Sequence, residues 1–162
     1  MTASLVAAVL VVLAVACAAA PRQGGAAAPA GADAKLTALA HRYLAIADPA
    51  NHRLEVANDG YKRDERGNLA AAAADLRAEV ATETLFDTQL AAIPFPPAIA
   101  SIARALIQAN QRRGGLTTRQ ARSTSLAQLG SFDQRHQAGD AAVEVQVRLI
   151  RKALHLPPPS TS

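Results

Sequence analysis

Hydrophobic positions divide this chain into two unlike parts. The first is an unbroken apolar run from Leu5 to Ala16 that stops at Cys17. The second begins at Asp33 and places apolar residues at spacings of three and four, the mark of helices with one buried face. Between them, Ala18 to Ala32 is Ala, Gly and Pro with one Arg and one Gln, without periodicity or large side chains. That composition cannot bury enough surface to offset ordering entropy, so residues 18–32 are expected to form a flexible tether with about 20 Å of reach.

Within the second part the pattern predicts a single domain over residues 33–157, built of four to five helices. A first helix opens near Asp33, an expected N-cap, and buries Leu36, Leu39, Ala40, Tyr43, Ala47, Ala50, Leu54 and Ala57. Asp48-Pro49 predicts a kink or short break, because proline removes a donor and crowds the preceding turn. Asn58-Asp59-Gly60 predicts its end. A second helix spans about 68–92 with Leu69, Ala72, Ala73, Leu76, Val80, Phe86 and Leu90 inward. Pro94-Phe95-Pro96-Pro97 is a rigid stop, and Phe95 there is either a plug over the core end or a recognition knob. A third helix is expected over Pro97–Arg113, with Ile99, Ile102, Ala103, Leu106 and Asn110 in register, ending at Gly114-Gly115. A fourth is expected from Thr117 or Thr118 to Gln137, and a fifth is capped by Asp140 after an Ala138-Gly139-Asp140 turn. The fifth carries Val143, Val147, Ile150 and Leu154. Residues 158–162 are a tail. Short connections make neighbouring helices antiparallel, so the fold class is an all-α, up-down bundle after an N-terminal tether.

The leading run changes the picture from fold to address. A secretory apolar core is about 7–15 residues long and a spanning helix needs about 20. Residues 1–17 therefore predict an export signal, and Ala14-Val15-Ala16-Cys17 resembles a bacterial lipobox in which Cys17 is acylated. Signal cleavage after Ala16, giving free secretion, and an uncleaved anchor remain the alternatives. Cys17 is the only cysteine, so the mature domain has no internal disulfide and no thiolate chemistry.

Composition supports helices: half of the residues are hydrophobic but only 3% are aromatic, with no Trp. Charge is uneven. Residues 33–97 carry ten acidic groups against seven basic, whereas residues 98–162 carry nine basic against three acidic. No acid lies between Asp87 and Asp133, and that gap holds Arg104, Arg112, Arg113, Arg119 and Arg122. These five are candidates for an anion-binding face directed at anionic lipid, an acidic envelope polymer or an acidic envelope protein. Solvated arginines complementing a helix C-terminus are the plainer account. Nucleic acid is not expected as a partner, because the gap has Phe95 and, at its far end, Phe132 as its two aromatics and so lacks a stacking platform.

Candidate chemistry is sparse. The four histidines (His41, His52, His136, His155) form no Glu-x-x-His, His-x-x-x-His or His-Glu-x-x-His pattern. His52 and Glu55 lie one turn apart, which is a weak two-ligand hint, and His41 or His52 is a remote candidate for a haem axial ligand. Ser123-Thr124-Ser125 lacks a nucleophile-elbow context and is expected on the exposed side of the fourth helix. Asp75, Glu79 and Glu83 follow one another at i, i+4 on the second helix; such pairs raise a pKa when buried but usually line a solvated face. No metal, cofactor or catalytic residue is assigned, and the chain is not expected to be an enzyme.

Taken together, Ala14-Val15-Ala16-Cys17, the Ala/Gly/Pro tether, Tyr43-Leu44-Ala45-Ile46-Ala47-Asp48-Pro49, Phe95-Pro96-Pro97 and Val147-Arg148-Leu149-Ile150-Arg151 resemble the small helical lipoproteins of high-GC Gram-positive bacteria. The resemblance spans most of the chain and its motifs are structural. It implies a helical domain held to the outer face of the cell membrane through lipid at Cys17, and transfers no catalytic residue. The expected role is binding or structural, with a ligand- or metal-binding bundle acting as carrier or sensor as the alternative.

Overall fold

The computed structural model describes residues 30–159, all of it helix and short connections. The apolar run, Cys17, residues 18–29 of the expected tether and Ser160 to Ser162 lie outside the described residues. Four long helices, α1 (Ala30–Asp64), α2 (Leu69–Ala91), α3 (Pro97–Gln120) and α5 (Asp133–Ala153), are joined with a single-turn α4 (Leu126–Gly130). Among the described residues no helix is long and apolar enough to cross a membrane.

The helices alternate in direction. Tyr43 on α1 meets Phe86 on α2 edge-on, and Gly60 meets Asp75 near the first turn. Asp87 pairs with Asn110 between α2 and α3, and Arg113 and Gln120 on α3 reach Asp140 and His136 on α5. Two apolar clusters fill the two ends. The larger contains Tyr43, Leu90, Ile99, Leu106, Ile150 and Leu154. The smaller holds Ala72, Leu76, Ala121 and Leu129. Phe95 is half-buried against the larger cluster, which makes the Pro94–Pro97 turn a plug.

Several expected helix ends are not ends. Residues 30–32 are helical, so α1 starts ahead of Asp33, and it runs through Pro49 and Gly60 without a break. Proline in a helix interior costs about 3 kcal/mol. Here Ala47 and Ala50, on either side of it, are buried, and that packing outweighs the local cost. Gly60 is no left-handed cap: a Cβ there would sit 2.6 Å from an Asp75 oxygen, so glycine permits the close approach of α2. Likewise α3 passes straight through Gly114-Gly115 to Gln120. Two glycines cost about 1 kcal/mol each relative to Ala, but the extension carries fully buried Thr117 and Gln120 into the interior.

The fourth expected helix is not one helix: its span is divided among the end of α3, α4 and the start of α5. Ser123, Thr124 and Ser125 form a turn and a cap rather than an exposed helix face. Gln128 Oε1 accepts from the Thr124 N–H at 2.8 Å, and Ser125 Oγ accepts from the Gln128 N–H at 3.2 Å. Short polar side chains compete in this way with helix bonds. α5 then starts at Asp133 and includes Ala138, Gly139 and Asp140, so Asp140 caps nothing. Its side chain turns to α3 instead.

Candidate functional site

Between the two apolar clusters the bundle is crossed by a polar layer. Its centre is Arg113, whose stem descends from α3 with 17% of the side chain exposed. The guanidinium fork serves three carboxylates at once. Nη2 donates to Glu79 at 2.7 Å, Nη1 donates to Glu83, and Nε donates to Asp140 at 2.6 Å. Glu79 and Glu83 are one turn apart on α2 and Asp140 comes from α5, so one cation ties three helices. A planar fork with five donors suits this task, and an ammonium does not.

Toward the larger apolar cluster, Asn110 Nδ2 donates to Asp87 Oδ1 at 2.7 Å, both residues being buried. Toward the smaller one, Gln120 Nε2 donates to the Tyr61 hydroxyl at 2.9 Å and to the Leu129 carbonyl at 3.1 Å. The Gln120 carbonyl oxygen lies 2.8 Å from His136 Nε2, which therefore carries a proton in this arrangement. Burial, then the Arg113 charge, pushes the His136 pKa down and keeps the ring neutral. Burial also pushes up the Tyr61 hydroxyl.

The acids outnumber the cation. Glu79, Glu83 and Asp140 face one guanidinium, and Asp87 lies one turn beyond Glu83 with only the Asn110 amide as partner. Burial pushes Glu83 up to about 7, against the pull of Arg113, and pushes Asp87 up to about 6. One Glu83 oxygen, Oε2, is buried and has no hydrogen-bond partner. It adjoins a groove of about 200 Å³ between α2 and α3. Burial opposes the Arg113 charge, but the attraction of Glu79, Glu83 and Asp140 outweighs it and keeps the arginine protonated.

The sequence-derived candidates separate. Arg104, Arg112, Arg119 and Arg122 are exposed, and no ion pair engages them among the described residues. Arg113 does not belong with them: it lies on the opposite side of α3, its charge spent inside the protein. Glu79 and Glu83 do not line a solvated face either. They point inward because Arg113 stands opposite. His41 and His52 are exposed. His41 and His155 border a separate depression of about 260 Å³ at the plug end, walled by Leu36, Leu44 and Leu154. Among the described residues no group of three or more His, Cys, Asp and Glu is arranged to hold a metal ion. Periodicity carries a signal for the missed residues. Arg113, Thr117 and Gln120 continue the Ile99, Ala103, Leu106, Asn110 stripe at spacings of three and four, and Glu83 and Asp87 extend the Leu76 stripe toward Leu90.

No protein-family model matches the chain, nor does any curated protein or solved structure.

Removing Arg113 while leaving its acids strands charge in the interior, so Arg113→Met should lower unfolding free energy by about 3–5 kcal/mol. Urea denaturation checks this. Adding Glu83→Gln to that variant should recover part of the loss, and no recovery would show that the pair is not coupled.

The pH dependence has a definite sign. Glu83 binds a proton more readily folded than unfolded, so its contribution is fully present below its ordinary value of 4.5 and is lost as pH rises to about 7. Asp87 acts in the same direction, and His136, whose pKa is pushed down, acts in the opposite one. Comparing wild type with Glu83→Gln isolates Glu83. Their difference in stability should shift against the wild type by on the order of 1 kcal/mol per pH unit across that window. A difference independent of pH would mean that burial does not perturb this carboxyl.

Proposed function

We propose that this is a non-enzymatic binding module held at the outer face of the cell membrane through lipid on Cys17, and that it docks an acidic envelope component on the exposed face of α3. The single observation that carries the docking face is the free set of arginines. Arg104, Arg112 and Arg119 fall within an arc of about 80° at 100° per residue, and exposed Arg122 follows in the turn after α3. Carboxylates nearby are on the other side of the helix, engaged by Arg113.

A free cationic stripe on a rigid helix attracts polyanions through long-range potential as well as contact. The chemistry fits anionic lipid headgroups and phosphate-rich polymers alike, since guanidinium groups pair with both. Anchoring beside such a surface raises the effective concentration of the second contact, so weak binding by four arginines suffices.

Vesicles of anionic lipid, compared with neutral ones, measure the face directly. Replacing Arg104, Arg112, Arg119 and Arg122 together by Gln should abolish most binding and flatten its salt dependence. Binding that survives the replacement would sink the cationic face. The anchor is checked separately by the intact mass of native protein from the membrane fraction. It should begin at Cys17 and carry acyl chains, and an unacylated mass would remove the anchor.

A further inference from the structure

The groove between α2 and α3 gathers several hydrogen-bond acceptors beside Val80, Gln111 and Gly115. It holds about 200 Å³, room for roughly six water-sized groups. Its walls include Glu83, Thr84, Asp87, Asn110, Gly114 and Thr118. The Glu83 side chain is 8% exposed, and its Oε2 has no partner. Asp87 takes the Asn110 amide N–H on one oxygen, which leaves the Asn110 carbonyl oxygen as an acceptor. Both threonines have spent their protons on their own helices. Thr84 Oγ1 donates to the Val80 carbonyl and Thr118 Oγ1 to the Gly114 carbonyl, each at 2.8 Å, so both offer lone pairs only. Gly114 lies next to buried Oε2, and a Cβ there would lie 3.4 Å from it.

Apart from the amide groups of Asn110 and exposed Gln111, the polar side chains of this lining offer acceptors, and it carries surplus negative charge, because Arg113 serves Glu83 but not Asp87. We propose that this groove is a binding site for a protonated primary amine, whose ammonium group is held by Glu83, Asp87 and Asn110. An ammonium group brings three N–H donors and one positive charge, which answers both deficits. A transition metal does not suit a set of oxygens with no imidazole or thiolate. Calcium requires six to eight oxygens, and two carboxylates with one already shared are a poor start. The site is independent of the arginine face and would survive its failure.

The test is a titration of the full-length protein at mildly alkaline pH with n-butylammonium chloride, followed by backbone amide NMR shifts of Gly114 and Gly115. Tetramethylammonium chloride at equal ionic strength supplies charge without N–H donors, and calcium chloride supplies a hard metal. Saturable shifts are expected with n-butylammonium alone. Glu83→Gln and Asp87→Asn should each weaken binding by about tenfold or more, as expected for a charge-assisted hydrogen bond. Two variants guard against one failing to fold, which the amide spectrum itself reports. Equal response to both organic cations, saturation only by calcium, no saturable shift, or undiminished binding in both folded variants would each overturn the amine site.

Discussion

Everything in the middle of this bundle follows from one buried guanidinium. Arg113 enters an interior whose apolar part is mostly alanine, leucine and isoleucine, and stripping water from a charge costs several kcal/mol. The cost is offset only because acids reach it from two other helices, with donors spread around the fork. Such an arrangement adds little net stability compared with an apolar replacement. It fixes geometry instead. Sliding α2 or α5 by one turn against α3 would leave a buried acid or the arginine without its partner, and no apolar contact between alanines imposes a comparable penalty.

That constraint explains why α3 ignores its glycines. Local propensity argues for a stop at Gly114-Gly115, directly after Arg113. Yet Thr117 and Gln120 lie on the same side of the helix one and two turns beyond, and Gln120 reaches Tyr61, Leu129 and His136. Ending the helix early would strand those groups. The glycines also leave room along the α2–α3 groove that both line, where a Cβ at Gly114 would lie 3.4 Å from Glu83 Oε2. The feature that weakens the helix is the one that leaves the α2–α3 groove accessible.

The all-α architecture was readable from spacing and composition, and so were most of the apolar faces, whereas Phe95 was readable only as a plug or a knob until its packing on the larger cluster was seen. Helix boundaries were misread wherever tertiary contacts outweighed local signals: Pro49 between two buried alanines, Gly60 under Asp75, and Gly139-Asp140 beside Arg113. The polar layer was hidden for a related reason. Arg113 sits in an acid-free stretch next to Arg112, and counting charge along the chain groups the two. Only the helical angle separates them, placing Arg112 outward and Arg113 on the stripe of Ile99 and Leu106. Its partners are distant in sequence, with Glu83 before it and Asp140 after it, so no local motif marks the cluster.

The separation of these neighbours has a consequence for charge as a whole. Outward-facing arginines on α3 give the surface a positive stripe, while the interior behind them holds more carboxylate than guanidinium. An excess of buried acid must be balanced by protons or by a bound cation, because a bare surplus is too costly in low dielectric. At acidic pH protons meet the need, and both Glu83 and Asp87 are pushed toward holding them. As pH rises that relief is withdrawn, and the open groove beside Glu83 Oε2 is the route by which a cation can replace it. Proton and cation then compete for the same oxygens. The polar layer that sets the register of the helices also gives the bundle a stability that depends on what surrounds it.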